Sequence, residues 1–325
     1  MRAAVYRPVW SFDGRPAAGP DEDAFTLAAA ALERLVAADP TTELPARIHL
    51  VGEFPAAAEW AFPHVTGRPH EVVHHGSGAG GFATAWQGAG GVPSVLLATD
   101  LPERGPDADG SGGACAVALR IDPHGSGRVP DVPETASGSE AALRYRVASE
   151  AGPEGDAPEP PHRPELDRRA VVALAETPLH PVSEGAYVPR PRYLEGTPGH
   201  WRLLAAACAH CGGRTFPAAP ACARCGRRDG LSVTPLPYDG GVVVASTVIG
   251  KGGQPTEFDA QVGALGPYGV ALVELAPGAR ATFMVSDTAA PSLPIGATVR
   301  TGIRRLYPME GEWRYGRKAM PAFPR

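Results

Sequence analysis

Two closely spaced cysteine pairs constrain this chain more than any other feature. The stretch CAHCGGRTFPAAPACARCG, residues 208–226, holds four of the five cysteines in two Cys-x-x-Cys pairs separated by ten residues. Two such pairs can place four thiolates tetrahedrally around one zinc ion, and the glycines that follow them, Gly212 and Gly226, permit the tight turns this requires. The predicted metal ligands are Cys208, Cys211, Cys222 and Cys225.

The predicted metal is structural. Four thiolate ligands leave no open coordination position for water, so a catalytic zinc is not expected. Iron in a rubredoxin-like site fits the same spacing and remains the alternative metal. Four reduced cysteines without a metal are not expected, because so short a hairpin has little core of its own.

Length and composition predict ordered regions separated by a linker. A chain of 325 residues with 43% apolar residues can bury more than one core. The segment 150–186 opens with EAGPEGDAPEPPHRPE, rich in prolines, glycines and acids, and we interpret it as a linker. The predicted domains are 1–149, 187–230 and 231–325. No run of about twenty apolar residues and no basic-then-apolar N-terminus is visible, so we expect a cytoplasmic protein without a membrane span.

Charge is distributed unevenly along the chain. Residues 1–185 contain 14 arginines and 26 acidic residues, whereas residues 186–325 contain 16 basic and 9 acidic residues. This asymmetry indicates an anionic partner for the C-terminal part, such as a nucleotide, a polyanion or an acidic protein surface. Independent drift in composition of two domains would give the same pattern.

The first 125 residues carry an α/β pattern. A helix is predicted after an acidic start, with Asp21 as its N-cap and Glu22 and Asp23 near its positive end. Its apolar positions at helical spacing are Phe25, Leu32, Leu35 and Val36. Short apolar runs at 47–54, 93–100 and 112–121 predict buried strands, and a glycine-rich turn with a short helix lies between the first two. Alternating strands and helices predict a parallel sheet.

This order of segments resembles the N-terminal half of a thiolase-type condensing enzyme, closest to the hydroxymethylglutaryl-CoA synthases and initiating ketoacyl synthases. The segments that carry the resemblance are DEDAFTLAAAALERL, the strand before Glu53, GSGAGGFATAW, VLLATD and GGACAVAL. In those enzymes the glycine-rich segment carries a nucleophilic cysteine at a helix N-terminus, where its pKa is lowered. The resemblance places that position at Gly78, so the thiol is missing, and the family's C-terminal catalytic histidine has no counterpart here.

Three residues in or near these segments have a functional or a structural interpretation. Ser77, next to Gly78 and close to His74 and His75, is the candidate for a cryptic acyltransferase. Glu53 lies near the position of a general acid in the synthases that this region resembles. The alternative interpretation is a solvated glutamate at the end of a strand. Cys115 lies in an apolar run and is expected to be a small buried side chain.

The C-terminal region carries an all-β pattern. Alternating or β-branched runs at 240–250, 268–276, 280–287 and 298–307 are bounded by Gly, Pro or Asp, which predicts a small antiparallel barrel. With the segment PRPRYLEGTPGHWRLLAAAC and the ending YGRKAMPAF, the region from Tyr187 onward resembles the acyl-CoA-associated zinc-ribbon/OB-fold family, once catalogued as a domain of unknown function. The resemblance implies a helix followed by a ribbon and an OB barrel, and an accessory role beside thiolases or condensing enzymes.

These patterns together predict a truncated α/β thiolase-like half followed by an all-β rubredoxin-like zinc ribbon and OB-fold barrel. The predicted role is a non-catalytic subunit that docks a thiolase-fold enzyme and helps position a substrate carrying coenzyme A. A lone half would expose apolar surface, so we expect such a partner or a homodimer. The arginines predicted to attract CoA phosphates are Arg190, Arg192, Arg304 and Arg305.

Two alternatives remain. One is the acyltransferase that uses Ser77. The other is a single-stranded nucleic-acid binder, in which aromatic side chains would stack on bases in a basic groove. The aromatics available for that role are dispersed along the sequence: Tyr238, Phe258, Tyr268, Phe283, Trp313 and Tyr315.

Overall fold

The computed structural model describes residues 2–6, 10–12, 15–38, 43–89, 92–101, 114–121, 188–288, 290 and 292–322. The chain divides into two compact units. The first comprises Met1–Pro63 and Arg68–Leu166, and the second comprises His64–Gly67 and Asp167–Arg325. The predicted linker, 150–186, lies outside the described residues, and the predicted domain bounds remain predictions. Within the described ranges, no helix is both long enough and apolar enough to cross a bilayer.

The first unit is built on a mixed five-stranded sheet. Its strands are β1 (Arg2–Tyr6), β4 (Arg47–Val51), β5 (Glu71–His75), β6 (Ser94–Asp100) and β7 (Cys115–Ile121), in the order β1-β7-β6-β4-β5. Strand β4 pairs in parallel with β5 and β6, whereas β7 is antiparallel to both β6 and β1. The three predicted strands are confirmed, but a purely parallel sheet is wrong. A separate hairpin joins β2 (Trp10–Phe12) and β3 (Arg15–Ala17).

Three helices accompany this sheet: α1 (Ala24–Ala38), α2 (Ala58–Thr66) and α3 (Gly78–Gly88). Helices α2 and α3 lie in the connections from β4 to β5 and from β5 to β6, as parallel crossovers require. In α1 the residues Phe25, Leu32 and Leu35 are buried as predicted, whereas Val36 is 37% exposed and does not belong to the buried face.

The start of α1 differs from the prediction. The Asp23 carboxylate accepts a hydrogen bond from the Thr26 amide at 3.0 Å, and the Asp23 amide donates to the Thr26 hydroxyl at 2.8 Å. This reciprocal pair caps the helix, so the N-cap is Asp23 rather than Asp21. Glu22 is buried and accepts hydrogen bonds from the Tyr6 hydroxyl and the Gly19 amide, both at 2.7 Å, so it does not act as a surface charge at the helix end.

Two histidines on the parallel strands form a pair, of which His49 is buried and His75 is half-buried. His49 on β4 is 2% exposed, and its Nδ1 lies 2.8 Å from Nε2 of His75 on β5. Burial lowers the pKa of His49 to about 4, with smaller contributions from the positive charges of His75 and Arg47. Burial also lowers the pKa of His75. Both rings are therefore neutral in the folded protein at neutral pH.

The histidine pair predicts acid sensitivity of the first unit. Between pH 6.5 and about 4, the unfolded chain binds more protons at His49 than the folded chain does. The free energy of unfolding is therefore unaffected by this group above that window and decreases as the pH falls through it. Melting temperatures at about pH 7.5 and about pH 5 test this, and His49→Gln is expected to reduce their difference. His210→Gln, in the other unit, should retain the wild-type difference. An unchanged difference in His49→Gln would contradict the assignment.

The second unit begins with α4 (Arg190–Trp201) and a three-stranded sheet, β10-β8-β9. Its strands are β8 (Leu204–Cys208), β9 (Arg214–Thr215) and β10 (Leu231–Pro235). Strand β8 is the centre and pairs antiparallel with both neighbours. This small sheet carries the cysteine pairs.

A larger antiparallel sheet follows. Its strands are β11 (Gly241–Ile249), β12 (Tyr268–Ala276), β13 (Ala279–Met284), β14 (Thr298–Met309) and β15 (Glu312–Pro321), in the order β13-β12-β11-β14-β15. A 3-10 turn, Thr256–Phe258, and α5 (Asp259–Leu265) lie between β11 and β12. The predicted antiparallel strands are confirmed. The two edge strands are not joined by a ladder: an isolated parallel bridge between Val285 and Ala319 links them, so the sheet is not a fully closed barrel.

The second unit buries an ion pair as well as an apolar core. The core packs Leu203, Val273, Phe283 and Val299 among other apolar side chains. Asp287, whose side chain is fully buried, accepts hydrogen bonds from Nη2 of Arg304 at 2.9 Å and from Nη2 of Arg300 at 3.0 Å. The Asp287 backbone is left-handed, with a φ of 57°, a conformation that aspartate tolerates better than most residues.

Candidate metal centre

Both cysteine pairs sit in the same kind of backbone turn. In the first, the Gly212 amide donates to the Cys208 carbonyl at 2.9 Å and the Cys208 amide donates to the Gly213 carbonyl at 3.0 Å. In the second, Gly226 donates to Cys222 at 2.8 Å and Cys222 donates to Arg227 at 2.8 Å. The two closing glycines have φ values of 66° and 74°, so the predicted need for glycine at these turns is confirmed.

The four sulfur atoms converge on one point. All four lie within 4.8 Å of one another. The Cys208–Cys225 sulfur separation is 3.7 Å and the Cys211–Cys222 separation is 3.5 Å. Zinc–sulfur bonds of about 2.3 Å in a tetrahedron place sulfurs about 3.8 Å apart. The arrangement therefore fits a tetrahedral ion, and no rearrangement of the backbone is needed to hold one.

Backbone dipoles prepare one thiol for metal binding. The amides of Cys225 and then Arg224 point at the Cys222 sulfur and lower the pKa of that thiol to about 6. Thiolates are the form that binds metal, so this lowered pKa favours the ligating form of Cys222. The Cys208 and Cys222 side chains are buried, Cys211 is half-buried and Cys225 is exposed, so the site lies just beneath the surface.

Neighbouring side chains support the two turns. The Thr215 hydroxyl accepts a hydrogen bond from the Ala223 amide at 2.9 Å, and Nη1 of Arg224 donates to the Cys211 carbonyl at 3.2 Å. Each bond connects one cysteine turn to the other part of the ribbon. The second turn is thus held by side chains and sulfurs, since no strand of the described chain lies between β9 and β10.

The four arginines predicted to attract phosphates lie in different environments. Arg190 pairs with Glu312 at 2.8 Å and Arg192 with Glu195 at 2.6 Å, both with substantial exposure. The Arg305 guanidinium lies 4.6 Å from the centre of the Trp313 ring. Arg304 is fully buried beside Asp287, so its charge faces the interior rather than solvent. CoA binding by the exposed members stays a prediction.

The residues singled out by the thiolase-like resemblance occupy the ends of two elements. Gly78 is the first residue of α3, and Ser77 is exposed at the N-cap without a side-chain capping bond. His75 is bonded to His49, and Nε2 of His74 lies 3.7 Å from Glu59. Among the described contacts, neither His74 nor His75 is hydrogen-bonded to Ser77.

The two remaining candidates differ in exposure. Glu53 is exposed just beyond the end of β4, as expected of a solvated glutamate. Cys115 is 8% exposed within β7, and the prediction that it is a buried side chain is confirmed.

The aromatic side chains of the second unit are largely engaged with their neighbours. Phe258 packs against Tyr268 and Tyr307, with ring centres 5.7 and 5.3 Å apart. The guanidinium of Arg317 lies 3.7 Å from the ring centre of Tyr238. Phe283 and Tyr315 are buried. The alternative of a nucleic-acid binder gains no stacking platform from these rings.

Sequence reasoning did not identify a pocket in the second unit. It has a volume of about 600 Å³ and is lined by α4, by Phe216 and Pro217 of the ribbon and by the large sheet. Its aromatic wall brings together residues far apart in sequence, so no local motif marks it. The only sequence signal is the aromatic spacing of Tyr193 and Trp201 on α4.

The comparisons with known proteins give partial structural similarities. No protein-family model matches the sequence, and no curated protein is similar to it. A solved structure described as the Ltp2-ChsH2(DUF35) aldolase is 27% identical with a TM-score of 0.29, over 37% of this chain and 84% of that one. A DUF35-family protein of unknown function from Sulfolobus solfataricus is 15% identical with a TM-score of 0.24, over 37% and 75%.

MvaS in complex with 3-hydroxy-3-methylglutaryl coenzyme A is 17% identical with a TM-score of 0.29, over 37% of this chain and 39% of that one. All three TM-scores lie below one half, so the function of this chain is inferred from its own residues. Structures from the DUF35 family and a coenzyme A complex are among those to which this chain is similar.

Proposed function

We propose that this chain is a non-catalytic accessory subunit that binds a thiolase-fold condensing or acyltransferase enzyme and helps position its CoA-linked acyl substrate. Its C-terminal part would be a zinc ribbon followed by an OB-type sheet, and its N-terminal part a thiolase-like half without a nucleophile. The observation that carries this proposal is the position of the five cysteines. Four form one closed cluster, and the fifth is buried in a strand.

That distribution leaves no thiol for acyl transfer. The resemblance to condensing enzymes places their nucleophile at the N-terminus of α3, where this chain has Gly78. The cluster cysteines are held by one another, and Cys115 is covered on β7. A thiolate placed at a helix N-terminus is the element that acyl transfer in such enzymes requires. A chain that keeps the scaffold without it is suited to binding a partner rather than to turnover.

Zinc has a structural role in this proposal. Cys208, Cys211, Cys222 and Cys225 would hold the ion, and the ion would fix the two turns of the ribbon relative to each other. With four thiolate ligands, a bound ion would have no open position for substrate and would contribute to folding instead. Exposed arginines such as Arg190 and Arg192 would attract the phosphates of CoA electrostatically.

Co-expression tests the proposed docking. The tagged full chain, expressed with the thiolase-fold enzyme encoded nearest to its gene, is expected to co-purify as a stable complex because both partners would cover apolar surface. Light scattering over a dilution series would show a larger species for the mixture than for the chain alone. Cys115→Ala should leave the complex intact, whereas Cys222→Ser should weaken it.

Two outcomes would contradict the proposal. One is a compact monomer that binds none of the thiolase-fold candidates. The other is acyl labelling of the isolated chain by acyl-CoA that is lost in Ser77→Ala, which would instead support the alternative acyltransferase. A homodimer that dissociates on adding the enzyme would be compatible with docking, since one surface would serve both contacts.

A further inference from the structure

The pocket beside α4 is a feature that the metal centre leaves unexplained. We call it the α4 pocket, and its volume of about 600 Å³ falls within the range of small-molecule sites. Its walls are mostly aromatic. The rings that line it are Tyr193, Trp201, Phe216, Phe283, Tyr307 and Tyr315.

The polar atoms of this wall are bonded to one another. The Tyr193 hydroxyl donates to the Tyr315 carbonyl at 3.1 Å and accepts from the Tyr315 amide at 2.9 Å. The Trp201 indole N–H donates to the same carbonyl at 3.2 Å, and the Arg317 guanidinium donates to the carbonyls of Trp201 and Thr301. A ligand inside the pocket therefore meets mainly ring faces and aliphatic carbon, with the polar side chains of Thr282, His200 and Tyr307 also in the lining.

Two exposed arginines line the α4 pocket, and each is paired with a carboxylate that lies outside the lining. Among the described residues that line it are three arginines and one histidine but no aspartate or glutamate. The side chains of Arg192 and Arg280 are 73% and 53% exposed, and each bonds at 2.6 Å to a surface carboxylate, Glu195 or Glu274. Exposed ion pairs of this kind contribute little stability, so both guanidiniums can turn to an incoming anion at small cost.

We propose that the α4 pocket binds an apolar anion, with an alkyl or aryl chain against the aromatic wall and a carboxylate or phosphate at Arg192 and Arg280. The apolar wall accepts the chain, and the two guanidiniums, once they turn from Glu195 and Glu274, favour an anionic head group over a neutral or cationic one. A free carboxylic acid carries the chain and the anionic group next to each other, whereas a CoA thioester offers the same apolar chain with its phosphates at the far end of the pantetheine arm. The site belongs to the second unit alone, so the inference holds whether or not the chain docks a condensing enzyme.

Calorimetric titration of the full chain with hexanoate, octanoate and decanoate tests the apolar part of the site. Each added CH₂ should strengthen binding about fourfold until the pocket is full. Gly196→Leu should weaken decanoate binding by about tenfold, because Gly196 lines the pocket and a Cβ there meets only His200, at 3.4 Å. Gly199→Leu, on the same helix but outside the lining, is the matched control and should bind as the wild type does. Leucine favours the helix at both positions, so misfolding is not expected.

The charged part is tested with the double variant Arg192→Gln, Arg280→Gln. It should bind decanoate about tenfold more weakly, because two charge-assisted hydrogen bonds are lost. Arg227→Gln removes a similarly exposed arginine of the ribbon and should have no effect. Affinity that does not depend on chain length, or equal binding by wild type, Gly196→Leu and the double variant, would overturn the proposal.

Three probes separate the two sources of the ligand. Binding of decanoate but not decanoyl-CoA identifies a free carboxylate as the ligand. Binding of decanoyl-CoA much tighter than CoA alone identifies a thioester acyl chain. Equal binding of CoA and decanoyl-CoA without binding of decanoate would overturn the proposal, since the pocket would then take no part. Failure of the docking experiment with a positive decanoate series would leave the pocket in place and remove only the proposed partner.

Discussion

Cys222→Ser is expected to abolish metal binding and to unfold the ribbon of the second unit. The protein as purified should contain about one zinc ion per chain, and the variant close to none, because a tetrahedral site with three thiolates holds zinc far less tightly. Cys222 is one of the four converging sulfurs and is buried, so its loss opens the cluster from the inside. Elemental analysis of both proteins, with thermal denaturation, gives the measurement.

Cys115→Ala is the matched control for this experiment. It removes the one cysteine outside the cluster, so its metal content should equal that of the wild type, although a buried side chain is shortened. A strong chelator should reproduce the effect of Cys222→Ser on the wild-type chain and have no further effect on the variant. Freshly purified wild-type protein with neither zinc nor iron would show that the cluster is not a metal centre.

Asp287→Ala is expected to destabilise the second unit by about 3–5 kcal/mol. The substitution leaves the fully buried Arg304 guanidinium without the carboxylate that it bonds at 2.9 Å, and it also removes the bond from Arg300. A buried charge that loses its counter-charge is among the largest single destabilising effects in proteins. Urea unfolding of the full chain, monitored with a signal that reports on the second unit, measures the change in the free energy of unfolding.

Two further variants separate charge from backbone strain. Asp287→Asn keeps the size of the side chain and tolerates the left-handed backbone, so a comparable loss in this variant assigns the effect to charge. Glu274→Ala removes the carboxylate of an exposed ion pair on the same sheet, with Arg280 at 2.6 Å, and should leave the unfolding midpoint nearly unchanged. Similar unfolding midpoints for all three variants would contradict a structural role of the buried pair.

The cysteine cluster was predictable because its determinants are local. Four ligands within nineteen residues, each pair followed by a glycine, define the turn geometry without reference to the rest of the chain. The start of α1 shows the limit of such local signals. Asp21 and Asp23 are both good N-caps, and the choice of Asp23 depends on the hydroxyl of Thr26, three residues later.

Features that depend on distant partners were not predictable. Strand β5 reads EVVHH, and as a half-exposed edge strand it shows neither a continuous apolar run nor clear alternation. Arg304 looks like a surface cation in sequence, and only its pairing with Asp287, 17 residues away, explains its burial. The antiparallel direction of β7 likewise depends on its partner strands in the sheet, and the residues of β7 alone do not indicate it.

The second cysteine turn also bears on how this ribbon can change over evolution. Residues 216–230 connect β9 to β10 and belong to no strand. Beyond Phe216 and Pro217, which line the α4 pocket, they are held at separate points: two sulfurs, the Thr215 hydroxyl, the bond from Arg224 to Cys211, the contact of Asp229 with His210, and short backbone links. A segment anchored at such points does not need to keep a strand register, so insertions and new surface residues between the anchors disturb little. Related ribbons can therefore present different faces to different partners on one constant four-sulfur frame.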